Sequence, residues 1–76
     1  MARGDYYVWG EGGRWHVRHR DLTISFETPG VALSAALGEA YKAGQRGFGG
    51  RVLVRAPDNE WKTEWVYGVD PVPLAA

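Results

Sequence analysis

From Tyr6 to Phe26 the side chains alternate between apolar and polar, interrupted only at Gly10-Glu11-Gly12-Gly13 and at Arg20-Asp21. Strand side chains point to opposite faces with period two, so Tyr6 and Val8 share one face while Tyr7 and Trp9 share the other. Beyond the glycine-rich turn, Trp15, Val17 and His19 oppose Arg14, His16, Arg18 and Arg20. Leu22, Ile24 and Phe26 then oppose Thr23 and Ser25. Three strands joined by short turns predict a meander.

The period changes at Thr28-Pro29. A threonine hydroxyl accepts from an orphan amide of the first helical turn, and proline at the first helical position lacks only a donor that the helix cannot use. Ala32, Leu33, Ala36, Leu37 and Ala40 recur at three- and four-residue spacing, which predicts a helix to about Ala43, ended by Gly44 or Gly47. A stripe this rich in alanine, with Gly38 beside it, lets a helix lie close to a sheet. A fourth strand follows over Arg51 to Ala56, then a turn at Pro57-Asp58-Asn59-Glu60 and a fifth strand from Trp61 to Tyr67.

The order β-β-β-α-β-β segregates strands from a single helix, so the expected class is α+β, an antiparallel sheet with one helix packed on one face. Even-membered turns would gather Tyr6, Val8, Trp15, Val17, Ile24 and Phe26 under the helix, with Val52, Val54, Thr63 and Trp65 from the last hairpin. The opposite face would carry Tyr7, Trp9, Arg14, His16, Arg18, Thr23, Ser25, Leu53, Arg55, Lys62, Glu64 and Val66. Residues 1–5 read as an N-terminal tail and 6–67 as one domain. Residues 68–76 read as a proline-containing tail, extended unless it docks.

Composition narrows the classes. The chain has 76 residues, too few for a second domain, and its four tryptophans must supply much of the burial. It has no cysteine, which excludes disulfides and thiolate zinc sites. No apolar segment of signal-peptide or transmembrane type stands out, so a cytoplasmic location away from membranes is expected. Nine Lys plus Arg balance nine Asp plus Glu, so only the placement of charge informs.

The Trp15-x-Val17 pair, the Thr28-x-x-x-Ala32 helix opening and the closing Tyr67-Gly68-x-Asp70-Pro71-x-Pro73 resemble the bacterial domain of unknown function 2188 family, across about Val8 to Pro73. The resemblance implies a small α+β fold. It brings no activity, cofactor or catalytic residue with it.

Site chemistry is sparse. His16 and His19 sit three apart, which sends them to opposite faces of a strand, and no third ligand clusters with them, so no metal site is expected. The glycine-rich turn joins two strands, whereas a phosphate loop leads into a helix. His16 with Ser25 or Thr23 comes nearest to a nucleophilic pair, and His16 with Arg18 is the form that a metal-independent ribonuclease would use. Neither makes a complete constellation, so the expectation is a non-enzymatic domain without cofactor.

What remains is the basic, aromatic sheet face of Tyr7, Trp9, Arg14, His16, Arg18, Arg55 and Lys62. Most acidic residues fall instead in turns and ends: Asp5, Glu11, Asp21, Glu27, Asp58, Glu60 and Asp70. The leading expectation is a protein-interaction or homodimerisation module, since Trp9, Tyr7, Leu53 and Val66 would form an apolar patch and a small core gains from association. The alternative is single-stranded nucleic acid, with bases stacked on Tyr7 and Trp9 and phosphates met by Arg14, Arg18, Arg55 and Lys62.

Overall fold

The computed structural model describes residues 4–73. Three strands, β1 (Asp5–Glu11), β2 (Arg14–His19) and β3 (Leu22–Phe26), precede the helix α1 (Pro29–Gln45), and β4 (Arg51–Arg55) and β5 (Trp61–Val66) follow it. The sheet order is β3-β2-β1-β4-β5. This is the α+β fold expected, with one helix on one face of the sheet. The sheet itself is mixed rather than wholly antiparallel: β1 and β4 pair in parallel, and the other pairings are antiparallel. A parallel neighbour needs a crossover, and α1 supplies it by carrying the chain from the β3 edge back across the sheet to β4, beside β1.

The first hairpin closes on Gly12 and Gly13 alone, both left-handed at φ 63° and 77°, while Gly10 and Glu11 complete β1. Left-handed geometry at both central residues matches the twist of the flanking strands. Val8 therefore faces Val17, and Val17 faces Ile24, the register that the alternation predicts.

Thr28 caps α1, its hydroxyl accepting from the Val31 amide at 3.2 Å. At the other end Gly47 turns left-handed (φ 86°). Its amide donates to the Gly44 carbonyl at 3.0 Å and the Phe48 amide to the Ala43 carbonyl at 2.9 Å, a Schellman closure. Ala32, Ala36, Ala40 and Ala43 lie buried against Tyr6, Val8, Val17, Val52 and Trp65. The close approach is made not at Gly38, which meets nothing, but at Gly44, which backs onto the Tyr67 ring, and at Gly50, which backs onto the Ala40 carbonyl.

The last hairpin departs from the expected register. Trp65 pairs with Val52, but Thr63 pairs with Leu53 and Lys62 with Val54, leaving Glu64 as the extra residue of a bulge. An extra residue exchanges the faces of everything before it in the strand. Thr63 and Trp61 consequently lie on the face away from the helix, and Lys62 joins Val54 on the helix side.

The segment after β5 docks. The Trp65 indole nitrogen donates to the Pro71 carbonyl at 2.8 Å, and the Asp70 carboxylate accepts from the Val66 amide at 2.8 Å. At the other end Asp5, read as tail, opens β1 and is buried. The remaining tail positions, 1–3 and 74–76, lie outside the described residues.

Candidate functional site

The open face of the sheet is built in cross-strand rows. Thr23, Arg18, Tyr7, Leu53 and Thr63 make one row, and Ser25, His16 and Trp9 make the next, with Arg55 and Trp61 paired on β4 and β5. The bulge brings Trp61 into this layer. Its ring meets Tyr7 edge-on at 5.2 Å and Trp9 edge-on at 6.2 Å, while Trp9 leans on the His16 ring at 5.3 Å. Edge-to-face packing matches the positive rim of one ring to the negative face of the next. The Arg55 guanidinium lies 5.9 Å from the Trp61 ring centre, within cation–π range.

These side chains line a groove of about 460 Å³, with Tyr7, Trp9 and Trp61 as its apolar wall and Arg18, Arg20 and Arg55 around it. Asp5 and Glu11 also reach the groove, and of the two only Asp5 is paired with a cation. Asp5 is buried and accepts from Arg51 in a two-pronged pair, Nε to Oδ1 at 2.9 Å and Nη2 to Oδ2 at 2.7 Å. That bond, reinforced by the carboxylate charge, raises the pKa of Arg51 above its ordinary value. Glu11 accepts from the Trp9 indole nitrogen at 3.3 Å. Arg18 donates through Nε to the Arg20 carbonyl at 2.8 Å, and among the described residues no ion pair takes up Arg18, Arg20 or Arg55. The groove therefore carries net positive charge on a chain that is neutral overall.

His16 is held at both ring nitrogens. Nε2 lies 3.1 Å from the Glu11 carbonyl oxygen, which can only accept, so in the neutral ring Nε2 carries the proton and Nδ1 accepts from the Ser25 hydroxyl at 2.8 Å. The pairing of His16 with Ser25 is thus real, whereas Thr23 pairs with Arg18. Its geometric effect is to hold the imidazole against Trp9.

Of the seven surface residues read from the sequence, Tyr7, Trp9 and His16 cluster, and Arg18 and Arg55 flank them. Arg14 lies on the same face but at the hairpin tip opposite Glu11, where it lines a separate hollow with Pro57 and Asn59. Lys62 does not belong to the surface; on the helix side, its ammonium lies 3.9 Å from the Asp58 carboxylate. His19 lies on the helix side as well, stacked on Tyr6 at 4.2 Å. Trp61 is the member that alternation put on the wrong face, hidden by the bulge, while Arg20, which alternation placed on the face of Arg18, was left out of the surface because it stands in a turn.

Among the described residues no group of three or more His, Cys, Asp or Glu side chains is placed to hold a metal ion, and no helix is long and apolar enough to cross a membrane. No family model, no curated protein and no solved structure matches the chain.

Proposed function

We propose that the open sheet face binds single-stranded nucleic acid, with bases stacking on Trp61, Trp9 and Tyr7 and phosphates meeting Arg18, Arg20 and Arg55. The observation that carries this reading is the juxtaposition itself: Trp61 packed edge-on against both Tyr7 and Trp9, bordered by three arginines that form no ion pair among the described residues. Aromatic rings accept any base through its π-face, and only unpaired strands offer those faces. Arg18 on β2 and Arg55 on β4 flank the β1 rings Tyr7 and Trp9, which suits a backbone that runs past them.

The charge count sets a second expectation. Three phosphate contacts on a single strand give log K a slope against log salt of about −2. Titration of a labelled oligothymidylate and an RNA of the same length, followed by tryptophan quenching, tests both statements. Binding should favour single strands over duplex and weaken with that slope. Trp61→Ala should weaken it by about 1–3 kcal/mol. Arg20→Ala should lower both affinity and slope, whereas Lys62→Ala, on the other side of the sheet, should change neither. Equal affinity for duplex, or a larger effect at Lys62 than at Arg20, refutes the proposal.

A further inference from the structure

The two edges of the sheet are unlike. At the β5 edge the strand carries Lys62 and Glu64, is broken by the Glu64 bulge, and continues into the docked segment that holds Trp65. Charges, bulges and covering segments are the devices that keep an edge strand from pairing with another chain. The β3 edge has none of them. Leu22-Thr23-Ile24-Ser25-Phe26 contains no charge, no proline and no glycine, and it pairs with β2 along its full length without a register shift.

That edge is also where apolar surface is left over. Leu22 and Ile24 are 61% and 51% exposed although they share the helix-side face with Val17 and Tyr6, because α1 does not reach over them. They open onto a groove of about 300 Å³ along the helix flank, closed on the far side by Ala35 and Glu39.

We infer that β3 pairs antiparallel with β3 of a second copy of this chain, about a two-fold axis at Ile24. The choice of a second copy rests on the strand's own symmetry. Centred on Ile24, the pairing sets Ile24 against Ile24, Leu22 against Phe26 and Thr23 against Ser25, so the apolar face meets an apolar face and hydroxyl meets hydroxyl. Any other register that keeps the faces matched leaves at least one of the three apolar residues without an opposite number. Only the flanks repel: Asp21 before the strand would stand near Glu27 after the strand of the other copy. Added salt screens that repulsion and tightens the pair. Two five-stranded sheets become one continuous sheet, with both arginine-lined grooves on the same side.

Sedimentation of the full chain over 1–500 µM tests this. A monomer–dimer equilibrium is expected, tightening as salt rises, the opposite of the salt response of nucleic-acid binding. Failure of one proposal therefore leaves the other standing. Ile24→Lys should raise the dissociation constant at least thirtyfold with an unchanged circular dichroism spectrum. Because the chain has no cysteine, single cysteines report the register even if the lysine variant fails to fold. Ile24→Cys, oxidised with diamide, should link to its own copy. Leu22→Cys should not, since two Leu22 positions would lie about four residues, or roughly 14 Å, apart along the strands. A monomer at every concentration, a folded Ile24→Lys protein that still dimerises, or equal cross-linking at positions 22 and 24 overturns the inference.

Discussion

Gly38 and Gly44 lie in the same helix, yet the same substitution should move stability in opposite directions. An added methyl meets nothing at Gly38, whereas at Gly44 it runs into the Tyr67 ring. Gly38→Ala therefore gains only helix propensity, about 1 kcal/mol, which for a domain of this size raises Tm by roughly 4–8 °C. Gly44→Ala gains the same propensity but must displace Tyr67, whose ring is packed 5.6 Å from Tyr41 and 6.3 Å from Trp65. Overpacking costs about 1–3 kcal/mol, and each aromatic pair lost costs about 0.5–1.5 kcal/mol more. Because propensity cancels between the two variants, their difference isolates the packing, and with both aromatic pairs lost it should be about 2–6 kcal/mol. Denaturant and thermal unfolding followed by circular dichroism measure it directly. A Gly44→Ala protein as stable as Gly38→Ala would show that the helix does not seat on Tyr67 as described.

Other tests probe the remaining contacts. Asp5→Ala should destabilise by about 1–3 kcal/mol in urea unfolding, less than for a fully buried pair, because the partner Arg51 is half-exposed and water can cover the guanidinium left behind. Burial raises the Tyr6 hydroxyl above its ordinary value of 10.0, with the Glu39 carboxylate adding to the effect. The unfolded chain therefore loses its proton first, so this contribution is present below pH 10 and is lost as pH rises through the folded value. Stability should fall as pH rises above about 10, and less steeply in Tyr6→Phe. Ending the chain after Gly68 removes the Pro71 carbonyl from the Trp65 indole and the Asp70 carboxylate from the Val66 amide. That truncation should cost about 2–4 kcal/mol and shift tryptophan emission to the red.

The parts of the fold legible in the sequence are those fixed by local chemistry. Two-residue turns at Gly12-Gly13 and Arg20-Asp21 lock the first three strands in register, and Thr28-Pro29 marks the helix start. The parallel pairing of β1 with β4 was not legible, because alternation reports which face a residue takes and not which strand lies beside it. The bulge was not legible either. Glu64 is an ordinary strand residue in sequence, and only the pairing of Trp65 with Val52 and of Thr63 with Leu53 shows it to be supernumerary. One unpaired residue therefore cost the sequence reading Trp61 and led it to include Lys62. Gly38 misled in the same way, since a glycine beside the alanine stripe marks a close approach only if the approach is made there.

A core with few large side chains ties the open face to stability as well as to binding. With alanines along the buried helix stripe, the core beneath the helix rests on few large side chains, Trp65 and Tyr6 at 7% exposure each, while Val8 and Val52 are the largest that are fully buried. Trp61 adds burial on the other side by covering Tyr7 and Trp9. Trp61 retains 42% of its surface, so part of its area serves the fold and part is free to meet a ligand. Truncation to alanine removes both contributions together, at about 25 cal/mol for each Å² of apolar cover lost in the folded chain. Leucine separates them, since it keeps much of the apolar cover over Tyr7 and Trp9 but has no π-face on which a base can stack. If Trp61→Leu retains stability and loses oligonucleotide binding, the ring acts on the ligand. If stability and binding fall together in that variant, the ring acts through the sheet.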